Sequence, residues 1–266
     1  MIVVDIETAP RSDTMDFCPP FDPTKVKLKD VKKPWEDSMA KTGTLKNRKV
    51  TDKFTEEDKQ EAIRKKVAED REKHVNEGNA ILVSNQNAVE EAEADHKQKF
   101  MDGSTLLGEY CEIIAIGVMA PYMLESIVLE GSEKSILTKF WNLYDDDGPG
   151  LLGHYLFDFD LPVIIQRSRC HRLAIPSVLS TYDARRPPGM MIDTAKAWTH
   201  GVWKHYVKLG TLAKLFGVGD NKEGEVTGKD FYKYWFGSSE QHKLALEYVK
   251  GDVRETWLVA KEMRLI

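Results

Sequence analysis

The sequence predicts an α/β fold in which one domain carries a long insertion after its first strand. The first eight residues, MIVVDIET, form a β-branched apolar run of the kind found in buried central strands. From residue 105 onward, short apolar runs alternate with helical patterns, whereas the intervening segment lacks a comparable core pattern. At 266 residues the chain is long for one compact α/β domain and short for two. We therefore predict a single domain, 1–266, with its core in residues 1–10 and 105–266 and an insertion over 11–104.

Composition limits the classes of protein that fit. A net charge of −5 argues against a surface coated in cations, so an anionic partner would need metal ions or a local basic patch. The three cysteines contain no Cys-x-x-Cys pair, which argues against a disulfide framework and a zinc knuckle and fits a reducing compartment. No basic leader and no apolar run of membrane-spanning length is present. These features predict a soluble, cytoplasmic protein without a membrane partner.

The first strand is expected to end near Glu7, and the insertion to begin with irregular or extended chain rich in proline and then lysine. Thr55 and Asp58, three residues apart, then form a capping-box start for a helix of strong helix formers with few apolar positions. The short apolar patch 79–84 separates this helix from a second one that is acidic first and basic last. The sequence thus predicts two mostly solvated helices in the insertion.

After the insertion, two consecutive apolar runs predict a hairpin, followed by a helix that begins at Ser132 or Ser135 and ends at 148–150. The segment LLGHYLFDFDLPVIIQ predicts a strand that turns at Asp160 and enters a helix, with Pro162 at an early helical position where its missing N–H costs nothing. A strand or turn and at least two further helices complete the core.

Acidic residues mark the carboxyl end of the first strand. Asp5 and Glu7 are separated by one residue, so on a regular strand their side chains share a face and can reach one cation. Alternating acids on strands are more often exposed to solvent. Here, however, the preceding apolar run implies a buried strand, and two buried carboxylates cost several kcal/mol unless a cation compensates. The pattern indicates a site for hard divalent cations, to which Asp160 and Asp252 can contribute.

Three segments together resemble the three motifs of the DEDD superfamily of 3′-to-5′ exonucleases. VVDIET resembles the first motif, GHYLFDFDLP the second, which usually ends in Phe-Asp-x-Pro, and YVKGD the third in its Tyr-x-x-x-Asp version. The three occur in the family's order, and the nearest relative by resemblance is the proofreading exonuclease domain of family B DNA polymerases. The resemblance covers residues 1–10 and 105–266 and implies a ribonuclease H-like fold, with a central mixed five-stranded sheet flanked by helices.

The resemblance also implies roles for individual residues. Asp5, Glu7 and Asp252 would ligate one divalent ion, Mg²⁺ or Mn²⁺. Asp5 would also hold a second ion, on which Asp160 acts directly or through water. In such a site one ion activates the attacking water and the other stabilises the leaving 3′-oxygen. Tyr248 would orient that water, because an unperturbed phenol, with a pKa of about 10, is a poor general base.

The second motif leaves alternatives open. Asp158 and Asp160 alternate, so spacing alone permits either as the ligand, while the Leu-Pro that follows matches the family pattern and selects Asp160. Where relatives commonly have Asn, this chain has Tyr155, so a phenol replaces an amide that would bond the terminal nucleotide. Phe157 and Phe159 are each able to stack on bases or to pack in the core; we assign Phe159 to the core and leave Phe157 open.

Further candidates surround these motifs. The aromatic and basic segment that includes Trp198, Trp203 and Tyr206 either tracks a single strand or covers the core. Asp193 either caps a helix or corresponds to a recurrent Asp-Thr pair of the family. The expected substrate-binding residues are Thr8, His154, Tyr155, Phe157, Trp203 and Lys208.

The resemblance implies a metal-dependent exonuclease that removes nucleoside 5′-monophosphates from the 3′ ends of single-stranded DNA. The alternatives are an exoribonuclease of the same subclass and a non-catalytic protein that binds nucleic-acid ends. The complete set of acidic and tyrosine residues favours an enzyme. No polymerase-like segment follows residue 266 in this sequence, so we expect any proofreading or repair role to be exercised in trans. The insertion is a candidate contact for replication or repair proteins.

Overall fold

The computed structural model describes residues 1–51, 55–120, 122–123, 125–144, 150–187, 190–200, 202, 205–219 and 226–266. The chain forms two compact units. One comprises Met1–Cys18 and Phe100–Ile266, and the other comprises Pro19–Lys99, a segment that lies inside the predicted insertion.

The first unit is built on a five-stranded mixed sheet. Its strands are β1 (Ile2–Pro10), β2 (Cys111–Met119), β3 (Ile127–Leu129), β4 (Leu151–Gly153) and β5 (Ile192–Asp193). The strand order is β3-β2-β1-β4-β5, so the first strand of the sequence is the central one. It pairs antiparallel with β2 and parallel with β4, while β3 is antiparallel to β2 and β5 is parallel to β4. This architecture confirms the predicted fold class, and β1 continues three residues beyond its predicted end.

Helices flank the sheet because the alternate side chains of β1 are apolar on both faces. Ile2, Val4 and Ile6 belong to the large core that also contains residues of α3 and α4, whereas Val3 packs with Val253 on the other face. The helices are α1 (Gly43–Lys46), α2 (Glu56–Ser104), α3 (Glu133–Leu143), α4 (Leu161–Cys170), α5 (Thr194–Thr199), α6 (Leu209–Phe216), α7 (Phe231–Trp235) and α8 (Ser239–Glu262).

Several local predictions for the core are confirmed. The hairpin is the antiparallel pair β2 and β3. Ser132 begins α3, since its side chain accepts a hydrogen bond from the Ser135 N–H. Pro162 lies in the first turn of α4, where no intrahelical donor is lost. Helix α3 ends at Leu143, earlier than the predicted end at 148–150, of which residues 148 and 149 lie outside the described part of the chain.

The prediction of a strand running up to Asp160 is wrong. Strand β4 ends at Gly153, and residues Leu156–Asp160 form a single π-helical turn that leads directly into α4. The turn is fixed by a distant residue: the Asp193 carboxylate accepts hydrogen bonds from the backbone N–H groups of Tyr155 (3.3 Å) and Phe157 (3.0 Å). Donors engaged in this way are not available to a strand ladder.

The prediction of two helices in the insertion is also wrong, because α2 is one helix of 49 residues. The interval 56–104 contains no proline, and an internal glycine such as Gly78 costs only about 1 kcal/mol relative to alanine. The helix begins with the predicted capping box, in which Thr55 N donates to Asp58 and Asp58 N donates to the Thr55 hydroxyl.

In the second unit, the irregular chain that precedes α2 is fastened to that helix by side chains. The Asn85 amide accepts from Lys29 N and donates to Lys29 O, both at 2.9 Å. Lys32 pairs with Glu77, and His74 Nε2 bonds the carbonyl of the residue after Lys32 at 2.8 Å. The lysine-rich segment is therefore an ordered strap along one helix.

Across the residues that the structure describes, no helix combines the length and the apolar character needed to cross a membrane.

Candidate metal centre

Strand β1 presents its two carboxylates on one face. Asp5 and Glu7 alternate with Ile6, which packs in the large core, so both point toward the face that α8 covers. The pairing of β1 with β2 shifts register between Glu7 and Thr8. Such an irregularity bends the strand and re-aims nearby side chains, and these often lie at active sites.

Helix α8 supplies the second pair of polar groups. Its start is fixed by a capping box between Ser238 and Gln241. Tyr248 and Asp252 are four residues apart and therefore share one face of the helix. The neighbouring Val249 is fully buried against the sheet, and this packing directs that face toward β1.

Gly117 permits the close approach of α8 to the sheet. It pairs with Asp5 across β1 and β2. A Cβ built at Gly117 would lie 2.6 Å from a methyl carbon of Val249 and 2.6 Å from one of Val253. Any side chain larger than hydrogen would therefore push the helix, and Asp252 with it, away from the strand carboxylates.

Three carboxylates meet as a result. One oxygen each from Asp5, Glu7 and Asp252 lies within 4.8 Å of the others. Asp160 is 2% exposed and stands beside this group. Among the described residues, Asp5 Oδ2 and Asp160 Oδ2 are the buried side-chain oxygens without a hydrogen-bond partner. Clustered, buried and unpaired carboxylate oxygens are suitable ligands for a divalent cation.

The electrostatics of the cluster support the same conclusion. Burial, and then the charges of Asp252 and Asp160, raise the pKa of Asp5 and that of Glu7 well above their usual values. Burial, and then Asp193, raise the pKa of Asp160 in the same direction. Within the described part of the chain, no lysine or arginine forms an ion pair with these carboxylates. Buried acids that repel one another are costly without a cation, so the residues present fit a metal ion.

Asp252 and Tyr248 form a hydrogen-bonded pair at the edge of the cluster. Burial raises the pKa of Asp252 to about 7, against the opposing effect of the hydrogen bond from the Tyr248 hydroxyl. Burial, and then the nearby carboxylates led by Asp252, raise the pKa of Tyr248 far above that of an ordinary phenol. The ring of Tyr248 packs on Phe231 at 5.9 Å between centroids. The hydroxyl is thus a protonated donor with a fixed direction.

The structure separates the two acids of the second motif. Asp158 lies on the exposed side of the π-helical turn, where it pairs with Lys196 at 2.6 Å and retains 48% side-chain exposure. Asp160 is buried at the end of the same turn, and the backbone N–H of Ile6 in β1 bonds its carboxylate. Because the segment is a helical turn instead of a strand, the two acids do not share a face, and Asp160 is the one beside Asp5.

Asp193 holds this turn in place. In addition to the backbone N–H groups of Tyr155 and Phe157, its carboxylate accepts from Lys196 N at 3.0 Å, which caps α5. The helix-cap interpretation of Asp193 is therefore confirmed. The residue also links β5 to the turn that carries Asp160.

No protein-family model matches the chain. An uncharacterized protein of Methanocaldococcus jannaschii, MJ0365, is 25% identical over 154 residues, which cover 56% of this chain and 84% of that protein. Among solved structures, the family B DNA polymerase of the hyperthermophilic archaeon Pyrobaculum calidifontis is similar with a TM-score of 0.47 and 18% identity. The match covers 58% of this chain and 22% of the polymerase chain. These similarities do not assign an activity to the chain, so a functional conclusion depends on its own acidic cluster.

The expected substrate-binding residues occupy different environments. The Thr8 hydroxyl donates to Thr105 O at 2.6 Å. Both ring nitrogens of His154 are engaged, with the Thr194 hydroxyl and Val207 O, each at 2.8 Å. Phe157 is only 8% exposed and belongs to the large core.

Within the protein, both ring nitrogens of His154 are thus engaged and Phe157 packs in the core, while their contact with substrate stays a prediction. Phe159, assigned to the core, does pack against the large core. Tyr155 is half-buried and Lys208 is exposed, so both retain accessible surface, while Trp203 lies outside the described residues.

Sequence reasoning did not assign a role to Gly117 or to Phe231. A glycine within the β-branched run CEIIAIGVM is a recognisable signal, since it often marks close approach of another backbone or side chain. The sequence FYKYWF around Phe231 has helical aromatic spacing, but the contact of Phe231 with Tyr248 depends on packing between α7 and α8.

Proposed function

We propose that the protein is a divalent-metal-dependent 3′-to-5′ exonuclease that removes nucleoside 5′-monophosphates from single-stranded DNA. The observation that carries the proposal is the convergence of acidic residues from β1, the π-helical turn and α8, in which buried carboxylate oxygens of Asp5 and Asp160 lack partners. These residues come from the same segments whose order and spacing resemble the exonuclease motifs. The direction and the single-stranded substrate follow from that resemblance.

The proposed ligands are Asp5, Glu7 and Asp252 for one ion, Mg²⁺ or Mn²⁺, and Asp5 with Asp160 for a second. When bound, such ions lower the pKa of a coordinated water and neutralise charge on a scissile phosphate and its leaving oxygen. With an ion bound, these side chains would serve as fixed, deprotonated carboxylates. Because burial and mutual repulsion raise their pKa values, ion binding also releases the protons that these groups hold in the metal-free state.

Tyr248 orients a water molecule and does not act as a base. Its raised pKa keeps the hydroxyl protonated at neutral pH, so it donates a hydrogen bond. The Phe231 contact and the hydrogen bond with Asp252 restrict its direction. Because the one O–H of Tyr248 donates to Asp252, its oxygen is left to accept from the attacking water and to hold that nucleophile in line.

The π-helical turn provides a matched pair of variants that tests the proposal. Asp160→Asn and Asp158→Asn remove the same charge two residues apart, but only Asp160 lies in the cluster. Digestion of a single-stranded oligonucleotide in Mn²⁺ should fall in Asp160→Asn by more than the roughly 10- to 100-fold that loss of an outer metal-site partner costs. Asp158→Asn should stay within a few-fold of the wild type, because it loses an exposed ion pair.

Equal effects of the two variants would contradict the assignment of Asp160 to the metal site. The proposed role of the acidic cluster involves the phosphate and not the 2′-hydroxyl, so it does not predict the sugar preference. Single strands of DNA and RNA with the same sequence, assayed side by side, establish that preference. Digestion of RNA alone would replace the DNA substrate by the exoribonuclease alternative.

A further inference from the structure

An exposed tyrosine lies next to a buried residue whose backbone is held by side chains. Tyr206 is 79% exposed, while the next residue, Val207, is 8% exposed and belongs to a small core with Leu212 and Val259. Exposed loop residues with buried, anchored neighbours have little conformational freedom to lose when they bind a ligand.

The anchoring comes from two consecutive side chains of the second motif. His154 Nε2 lies 2.8 Å from Val207 O, and Val207 N donates to the Tyr155 hydroxyl at 2.7 Å. The other imidazole nitrogen lies 2.8 Å from the Thr194 hydroxyl. Burial lowers the pKa of His154, so the ring is neutral and donates its one N–H to Val207 O. Both backbone groups of Val207 are therefore held by side chains.

The same side chains form a row of rings that ends in solvent. The rings of His154 and Tyr155 meet edge to face with centroids 5.0 Å apart, and those of Tyr155 and Tyr206 are 6.2 Å apart. His154 and Tyr155 are both half-buried, and Tyr206 is the exposed end of the row. Its ring is supported on one side and accessible on the other.

The backbone and the Asp193 carboxylate connect this row of rings to the metal centre. Tyr155 directly precedes the π-helical turn that ends at Asp160, and the Asp193 carboxylate holds the backbone N–H of Tyr155 and of Phe157. Lys208, exposed two residues beyond Tyr206, adds a positive charge to the same segment. An aromatic face next to a cationic side chain is suited to a nucleotide.

We propose that Tyr206, supported by Tyr155, is a stacking platform for an unpaired base of the strand whose 3′ end enters the acidic cluster. The inference rests on the proposed function and specifies the form of the substrate that the site accepts. Stacking on one face requires a base whose own face is free, so the platform selects single strands over duplex and is indifferent to sequence.

The test is binding of a fluorescently labelled single-stranded oligonucleotide in EDTA, where metal-dependent cleavage does not interfere, followed by anisotropy. Loss of one stacked base costs about 1–3 kcal/mol, so Tyr206→Ala should weaken binding roughly 5- to 150-fold. Tyr206→Trp should bind as tightly as the wild type, and Tyr206→Leu should resemble the alanine variant. Tyr122→Ala is the matched control, since Tyr122 is 75% exposed in the connection between β2 and β3.

Unchanged binding by Tyr206→Ala, equal binding by the Leu and Trp variants, or no binding of single strands by the wild type would each overturn the platform. Equal dependence of duplex binding on Tyr206 would overturn selection for unpaired bases. In Mn²⁺, Tyr206→Ala should raise KM and leave kcat near the wild-type value.

The two proposals fail in different ways. Wild-type protein that binds single strands through Tyr206 but digests nothing would contradict the exonuclease and support the platform. Wild-type protein that digests single strands with a KM unaffected by Tyr206→Ala would support the exonuclease and overturn the platform.

Discussion

Replacing Asp252 with asparagine should stabilise the metal-free protein although it removes a proposed metal ligand. In the folded state the pKa of Asp252 is raised from 3.8 to about 7, chiefly by burial. The folded protein therefore binds more protons than the unfolded chain between about pH 4 and pH 7, and its stability falls as the pH rises through that range. Above pH 7 the full destabilisation by the ionised Asp252 carboxylate is present.

The size of this destabilisation follows from the raised pKa. The rise in the pKa of Asp252 on folding corresponds to a loss of at most about 4 kcal/mol of folding stability at pH 8. Part of the Asp252 side chain still reaches solvent, which screens its charge, so we expect about half of that value, ~2 kcal/mol. Asparagine preserves the shape and leaves an oxygen to accept the Tyr248 hydrogen bond, so little is lost in exchange.

Urea unfolding at pH 8, followed by tryptophan fluorescence, measures this effect. In EDTA the Asp252→Asn variant should be more stable than the wild type by ~2 kcal/mol, and the gain should disappear at pH 4. In saturating Mg²⁺ the order should reverse, because an ion at 100 times its Kd stabilises the wild type by about 2.7 kcal/mol. The exposed Asp158→Asn serves as a control, with a change within about 1 kcal/mol in either buffer. An Asp252→Asn variant less stable than the wild type in EDTA would refute the electrostatic argument.

Three further variants test other parts of the structure. Gly117→Ala should lower the free energy of unfolding in urea by about 1–3 kcal/mol, because the added Cβ would clash with side chains of α8. The same variant should bind Mn²⁺ more weakly in calorimetry. Unchanged stability and affinity would show that α8 does not need this close approach. Burial raises the pKa of Glu133, but hydrogen bonds, led by that from Arg167, outweigh this effect and lower the pKa. The ionised Glu133 carboxylate therefore stabilises the folded protein at neutral pH, and this stabilisation is lost as the pH falls below about 4. Glu133→Gln should accordingly lose about 3–5 kcal/mol at pH 7 by urea unfolding, since Arg167 is left buried without its partner, and this loss should shrink as the pH falls below about 4; a pH-independent loss would contradict this. Tyr248→Phe should reduce kcat roughly 10- to 100-fold in the digestion assay without altering Mn²⁺ affinity, whereas complete inactivity would indicate direct proton transfer.

Local chemistry made much of the fold and the site predictable. The β-branched run before Asp5 is sufficient to place a buried strand, and i, i+2 spacing places Glu7 on the same face. Tyr248 and Asp252 follow from helical spacing in the same way, and the capping box at Thr55 is formed by residues three apart. Each of these predictions depends on interactions within a few residues along the chain.

The errors occur where distant residues decide the local structure. The alternation of aromatic and acidic residues in LFDFD favours a strand, but Asp193 draws the backbone N–H groups of that segment into a π-helical turn. The same turn sends Asp158 to solvent and buries Asp160, whereas a strand of period two would place these two acids on one face. The engagement of His154 with Val207 spans 53 residues and has no local signal.

The most direct test of the proposed activity is digestion of one single-stranded DNA labelled in separate samples at its 5′ and 3′ ends. We predict that, with Mn²⁺ or Mg²⁺, the 5′-labelled strand shortens in single-nucleotide steps. The 3′-labelled strand should release its label as a nucleoside 5′-monophosphate from the first turnover, and EDTA should abolish both. Loss of label from the 5′ end first, internal cleavage, or equal digestion in EDTA would contradict a metal-dependent 3′-to-5′ exonuclease built on Asp5, Glu7, Asp160 and Asp252.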